Sequence, residues 1–219
     1  MVDHDELKVA LIKDEAGRRS ALEVLRATYQ NEKGWVSDPE QQIPRADVAR
    51  PDIAWFVVHL DERPVGVLRV LYDPPLVRHA KHGGFKLLGP RNDVERYLKN
   101  GLIAEIGRFA VMAEHRSNFM LAAALMRAAT EDLVSRGYTH IITDVFEDDP
   151  HSPFGFHTRV MGFLPIATHD RGELNCKSRR ITMVLDLKSS YQRLKARGNW
   201  LFRYLTRHWD DALHRRFAS

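Results

Sequence analysis

Two charged residues of this chain stand beside a hydrophobic interior: Glu105, suited to proton transfer, and Arg108, a fixed cation suited to holding an anion, both inside the apolar run Ile103-Ala-Glu-Ile-Gly-Arg-Phe-Ala-Val-Met112. A charged group so near a core is costly unless it is paired or opens onto a cleft. Downstream come Ala113-Glu-His-Arg-Ser-Asn118 and a small-and-apolar segment, 119–129, interrupted only by Arg127. The pattern predicts a buried strand over 103–112, a turn, and a helix over 118–136 closed by Gly137. The start of such a helix offers backbone N–H groups and a positive dipole end, which suit a phosphorylated or thioester-bearing cofactor. Residues three apart on a regular strand face opposite ways, so bringing Glu105 and Arg108 together requires a bulge.

The elements that must position these residues follow from periodicity and turn chemistry. Residues 18–30 carry Ala21, Leu22, Val24, Leu25 and Tyr29 at near-helical spacing, and Gly34, Pro39, Pro44 and Pro51 then mark a loop. Residues 53–60 and 65–72 are β-rich runs joined by Asp61-Glu-Arg-Pro64, which predicts an antiparallel hairpin. A loop with a short helix near 94–99 is expected across 76–101. Further strands are expected over 139–146 and 181–187, with a short helix over 151–162 ending at Gly162-Phe163. Strand, helix, strand in succession implies a parallel crossover, so the class is α/β with a mixed sheet.

Beyond Leu187 the apolar residues Leu194, Leu201, Leu205, Trp209, Leu213 and Phe217 recur mostly four apart, predicting one or two amphipathic helices. The expected organisation is a main domain over 1–187 and a basic helical extension over 188–219. That extension holds eight bases against two acids, Asp210 and Asp211, within a chain whose net charge is only +4. Three uses of it are open: packing over a sheet edge, docking an acidic carrier protein, or peripheral contact with an anionic membrane surface. No nucleic-acid motif accompanies the charge.

A chain of 219 residues that is 44% hydrophobic can bury one sizeable core. No stretch of eighteen uncharged apolar residues occurs, and the acidic start Met1-Val-Asp-His-Asp-Glu is unlike a secretory signal, so a cytoplasmic location is expected. Cys176 is the single cysteine, which excludes an internal disulfide and a cysteine-built metal cage. His79, His82, His140, His151, His157 and His169 lack tight ligand spacing on one element, so no metal is expected.

Three segments resemble the GNAT N-acyltransferase superfamily, in the branch of acyl-homoserine lactone (autoinducer) synthases and N-acyl amino acid synthases. Val65-Gly-Val-Leu-Arg-Val70 resembles the return arm of that branch's hairpin, with Arg69 at its basic position. Glu105-Ile-Gly-Arg-Phe-Ala-Val111 is similar to its central acidic–basic strand, and His157-Thr-Arg-Val-Met-Gly-Phe163 to the late helix ending in Gly-Phe. The resemblance implies a twisted mixed sheet flanked by helices, a bulge in the central strand, and transfer of an acyl group from a phosphopantetheine thioester, on acyl carrier protein or coenzyme A, to a small-molecule amine. No cofactor is expected to be bound permanently.

Under that reading Glu105 is the candidate base, and the backbone N–H groups from Ala110 through Val111 to Met112 polarise the thioester carbonyl. Arg69, Arg108 and Phe109 meet an amino-acid-like acceptor, since a guanidinium fork matches a carboxylate. Val111, Met112, Arg116, Ser117 and Asn118 receive the donor. Two departures from the superfamily bear on the donor. Arg116 is not followed by the glycine-rich turn that lets backbone approach a pyrophosphate, which favours a donor presenting pantetheine alone. Thr158 stands where many members have a thiolate-protonating tyrosine, leaving His157 as a substitute.

Plainer uses stand beside these. Glu105 can be an ion-pair partner of Arg108 or Arg69, and Arg116 a solvated surface residue. Asp144, Glu147, Asp148 and Asp149 can form a solvated loop or an amine site, while Trp35, Trp55 and Phe85 can line an acyl slot or fill core. An acetyl-coenzyme A-dependent N-acetyltransferase and a non-catalytic acyl- or carrier-binding module are the competing functions.

Overall fold

A computed structural model describes residues 7–74, 85–88, 102–170, 172, 174–198 and 200–218. The chain sorts into two units, Met1–Leu71 with Ile106–Asp132, and Tyr72–Glu105 with Leu133–Ser219. The expected helix near 94–99, and His79 and His82, lie outside the described residues.

In the first unit a four-residue strand, β1 (Lys8–Leu11), pairs antiparallel with β2 (Ile53–Leu60). Sequence reasoning missed β1 because it is short and only half-buried. Helix α1 (Glu15–Leu25) starts earlier than expected because the Asp14 side chain accepts the Gly17 N–H at 2.8 Å, satisfying a first-turn donor. It continues as a wider π-helical stretch over Arg26–Glu32, where the Thr28 hydroxyl donates to the Val24 carbonyl. The predicted hairpin forms between β2 and β3 (Arg63–Leu71), turning on Asp61 and Glu62 at φ 48° and 61°. This is the left-handed pair a tight two-residue hairpin needs, here without glycine.

Strand β5 (Ile103–Val111) follows β3 in the order β1-β2-β3-β5, and the unit boundary falls within β5 and within helix α2 (Phe119–Ser135). Gly66 on β3 makes the close fit possible: a Cβ there would lie 3.1 Å from the Ala110 carbonyl oxygen and 3.3 Å from Leu125. Trp55, Leu25, Ile43, Leu68, Leu121 and Leu125 are fully buried and form much of this unit's core.

The second unit has the strand order β6 (His140–Phe146), β8 (Arg180–Asp186), β7 (Leu164–His169) and β4 (Lys86–Leu87), each pair antiparallel. Strand β7 was not foreseen, since Pro165 near its start breaks the strand signal; the register shifts there between Pro165 and Ala167. The helix expected over 151–162 is a single π-helical turn, Phe156–Met161, ended by Gly162 at φ 90°.

The C-terminal extension makes three helices rather than one or two: α3 (Leu187–Arg197), α4 (Trp200–Leu205) and α5 (Asp211–Ala218). Gly198 at φ 59° stops α3, and the Asp210 side chain accepts the Leu213 N–H to start α5. The helices close around Tyr191, which stacks on Trp209 with ring centroids 5.6 Å apart, meets Phe202 edge-on, and bonds His214 at 2.9 Å. Arg193 donates to the carbonyls of Val160 and Met161, and Arg216 to those of Val134 and Gly137 at the end of α2. The class is α/β with a helical C-terminal extension, as expected from the sequence.

Candidate active site

Strand β5 changes character midway. Ile103, Ala104 and Ile106 are buried, whereas every residue from Gly107 to Val111 is half-exposed, although Phe109, Ala110 and Val111 are apolar. The change coincides with Arg108, whose φ of 49° is left-handed. That conformation costs a non-glycine residue roughly 1 kcal/mol and breaks the alternation of a regular strand. The backbone of β5 is thus irregular at Arg108. Phe109, Ala110 and Val111 beside it are apolar yet half-exposed.

Glu105 lies just upstream, half-buried, with its Oε2 shielded from solvent. Arg69 is 7% exposed and sits opposite Trp55 in the β2–β3 register, its guanidinium carbon 5.8 Å from the centre of the indole. Trp55 is therefore core and a platform for Arg69. Arg108 donates from Nε to the Gln42 Oε1 at 2.8 Å.

Past the strand, the Met112 N–H donates to the Val65 carbonyl at 2.9 Å, so among the three amides considered for the thioester carbonyl this one is committed to the sheet. Arg116 is neither a solvated arginine nor an open phosphate clamp. Its Nε donates to the Val111 carbonyl at 3.1 Å, and Nη1 and Nη2 grip the Glu32 carboxylate, a bidentate pair that ties the turn to the end of the π-helical stretch. Ser117 is exposed, and Asn118 caps α2 by accepting the Met120 N–H at 3.1 Å. The amides of His115, Arg116, Asn118, Phe119 and Leu121 also donate within this turn. A segment that spends its amides on itself is a poor nest for a pyrophosphate.

His157 is 1% exposed, packed against Phe163 and Phe156, and its burial pushes its pKa down to about 3. It is neutral at physiological pH, which removes it as an imidazolium donor to a leaving thiolate. The Thr158 hydroxyl donates to the Phe154 carbonyl at 2.8 Å.

The acidic cluster does not act as one loop. Asp144 sits on β6 with both oxygens engaged, one by His169 Nε2 at 2.8 Å and one by the Thr182 hydroxyl at 2.7 Å. Glu147 pairs with Arg179, which holds its carboxyl below the usual range, and Asp149 accepts the His151 N–H. Phe85 lies against His169 at 4.6 Å, and Trp35 meets Tyr29 edge-on. Among the described residues no three His, Cys, Asp or Glu side chains gather as a metal site, and none of the helices is long and apolar enough to cross a membrane.

Sequence reasoning missed Gln42, Glu32 and Arg18. Arg18 had a readable signal: it occupies the stripe of Ala21, Leu22 and Leu25 on α1, and a guanidinium on a buried stripe must have partners. Gln42 and Glu32 stand in segments without period, and only the fold brings them to Arg108 and Arg116.

Residues 19–163 match the family described as the acetyltransferase (GNAT) family. No curated protein matches the sequence. Among solved structures, FeeM, an N-acyl amino acid synthase from uncultured soil microbes, superposes with a TM-score of 0.66 at 16% identity, covering 88% of this chain and 98% of FeeM. The aminoglycoside acetyltransferase AAC(6')-Ib in complex with coenzyme A gives a TM-score of 0.56 at 17% identity, covering 86% of this chain and 99% of its own. The PaiA N-acetyltransferase from Thermoplasma acidophilum, also with coenzyme A, gives 0.53 at 13% identity, covering 82% and 99%.

Proposed function

Because this chain belongs to the acetyltransferase (GNAT) family and is an acyltransferase, we propose that it moves a fatty acyl group from a phosphopantetheine thioester to the amino group of an amino-acid-like small molecule. The observation that carries this reading is the half-exposed stretch of β5 from Gly107 to Val111, two residues after Glu105 and with Arg108 in the left-handed region. The acceptor nitrogen attacks the thioester carbonyl carbon in a ternary complex while Glu105 takes its proton, directly or through one water. The Val111 N–H polarises the carbonyl, and the tetrahedral intermediate collapses by expelling the pantetheine thiolate. Arg69 and Arg108 hold the acceptor carboxylate, and Phe109 packs on the acceptor.

Acyl carrier protein is the donor this reading favours over coenzyme A. The glycine-free turn Arg116-Ser-Asn118 uses its amides internally and Arg116 is held by Glu32. A carrier-borne pantetheine brings no pyrophosphate to be cradled there. The carrier docks on the exposed bases of the extension, Lys188, Arg197, Arg203, Arg207 and Arg215. The acceptor proposed here is of the class named for FeeM, an N-acyl amino acid synthase whose fold this chain resembles.

The test is mass spectrometry of products formed from amino acids with matched acyl-carrier and acyl-coenzyme A donors. Long-chain N-acyl amino acids formed faster from the carrier are expected. Acetylation from acetyl-coenzyme A alone would replace this reading with an N-acetyltransferase.

A further inference from the structure

Helix α4 carries two apolar pairs, each spaced by four residues. Leu201 and Leu205 are 4% and 5% exposed and belong to the core of the extension. Trp200 and Tyr204 stand one position earlier in the chain, about 100° round the helix, and do not share that burial. Trp200 is 46% exposed and Tyr204 half-exposed, their ring centroids 6.1 Å apart. Of the chain's four tryptophans, Trp55 is buried and Trp35 and Trp209 are half-buried; Trp200 is the exposed one. Packing uses Trp209 as the stacking partner of Tyr191, but it leaves nearly half of Trp200 to solvent.

The charge around this ring is of one sign. Residues 187–209 hold six bases, Lys188, Arg193, Lys195, Arg197, Arg203 and Arg207, and no acid. Arg193 donates to the Val160 and Met161 carbonyls, and the other five bases are exposed. Arg197 ends α3 just before the Gly198 turn that leads to Trp200, and Arg203 follows Trp200 by about one turn of α4. An exposed aromatic ring set among arginines is the make-up of an interface hot spot, in which the apolar group gives lasting attachment and the charges give capture and orientation.

We infer that Trp200 is the apolar anchor of the surface on which an acidic acyl carrier protein docks, with Arg197 and Arg203 as its charged rim. This rests on the proposed reading that a carrier is the donor. An anionic membrane would meet the same charges, but a helix lying in a membrane surface sinks a whole apolar face. Helix α4 is six residues long and its leucine pair is buried in the extension. One ring and its half-covered neighbour are left, which is enough to fill a pocket on a protein and too little to enter lipid.

Surface plasmon resonance with immobilised holo-acyl carrier protein separates the anchor from the rim, with melting temperatures as the fold control. Trp200→Ala should raise Kd about thirtyfold through faster dissociation, by the same factor at low and high salt, and Trp200→Phe should restore most of the affinity. Arg203→Ala should instead slow association, and only at low salt. Carrier affinity indifferent to Trp200 overturns the anchor. So does a Trp200→Ala protein that keeps the carrier but no longer cosediments with phosphatidylglycerol vesicles, which would make the ring a membrane contact. A wild type that binds no carrier at any salt removes the docking surface altogether, and N-acyl amino acids still formed from acyl-coenzyme A would then show that the acyl-transfer reading survives without it.

Discussion

Strands β5 and β6 each carry one acid inside an apolar run, yet they treat it oppositely. On β6, Asp144 sits in an unbroken antiparallel register with β8, and its two oxygens are taken by Thr182 on the adjacent β8 and by His169 on β7 beyond it. On β5, Glu105 is followed by a left-handed break at Arg108 and by five half-exposed residues. The first arrangement spends a carboxylate on holding strands together. The second accepts local strain to keep the strand after its carboxylate open. A buried-looking acid is thus diagnosed less by its own surroundings than by whether the backbone after it stays regular.

Exchanging each acid for its amide tests that contrast most directly. Glu105→Gln should lower turnover by about 10²- to 10⁴-fold, the range for loss of a general base, while the melting temperature stays within a few degrees. Loss of fold in parallel with activity would return Glu105 to the role of an ion-pair partner. Asp144→Asn should do the reverse: denaturant titration should show a loss of about 1–3 kcal/mol, since two bonds to one carboxylate are weakened, with turnover per folded molecule little changed. Collapse of turnover in that variant at full stability would make the dyad with His169 catalytic and erase the distinction.

The β6 side is sharpened by pH. His157 follows β6 and is held neutral, with a folded pKa of about 3 against 6.5 for the ordinary group. Between those values the unfolded chain binds the proton and the folded chain does not, so stability is complete above roughly pH 6.5 and falls as the pH drops towards 3. The slope from this group is about 1.4 kcal/mol per pH unit at most. Urea midpoints measured from pH 7 to pH 4.5 should show it, and His157→Phe should flatten it. An unchanged slope would mean that His157 is charged where it sits.

The smallest effect separates the extension's surface from its interior. Arg203→Glu with Arg207→Glu, both exposed whereas Leu201 and Leu205 are buried, should raise KM for an acyl carrier about tenfold at low salt and leave KM for acyl-coenzyme A unaltered. Identical kinetics with both donors would reject carrier docking. Truncation before Lys188 cannot serve as this test, because it removes Tyr191, Leu194, Leu201, Leu205 and Phe217 from a core.

Much of the scaffold was legible in the sequence because it rests on period and punctuation. The hairpin, β5, α2 and β8 follow from runs of Val, Ile and Leu and from stops such as Gly137. The short strands β1 and β7 were not legible, since four residues give no period and Pro165 argues against a strand. In the site, Glu105, Arg69 and Arg108 stood out as charges within apolar runs. The pairing of Arg116 with Glu32 and of Arg108 with Gln42 did not, because contacts between residues 84 and 66 positions apart leave no trace in local spacing. The tail read as an amphipathic stripe, but its use of Arg193 and Arg216 to cap other elements is likewise a matter of long-range closure.

The interlock at Gly162 has a consequence for biosynthesis. A methyl group at that position would collide with the Arg193 guanidinium, which reaches in to bond the Val160 and Met161 carbonyls. Some thirty residues of chain must therefore leave the ribosome after the turn itself has emerged before its carbonyls find their donor. A chain that stops ahead of Arg193 lacks the donor for those carbonyls, so the turn at Gly162 is completed only by a helix made well after it.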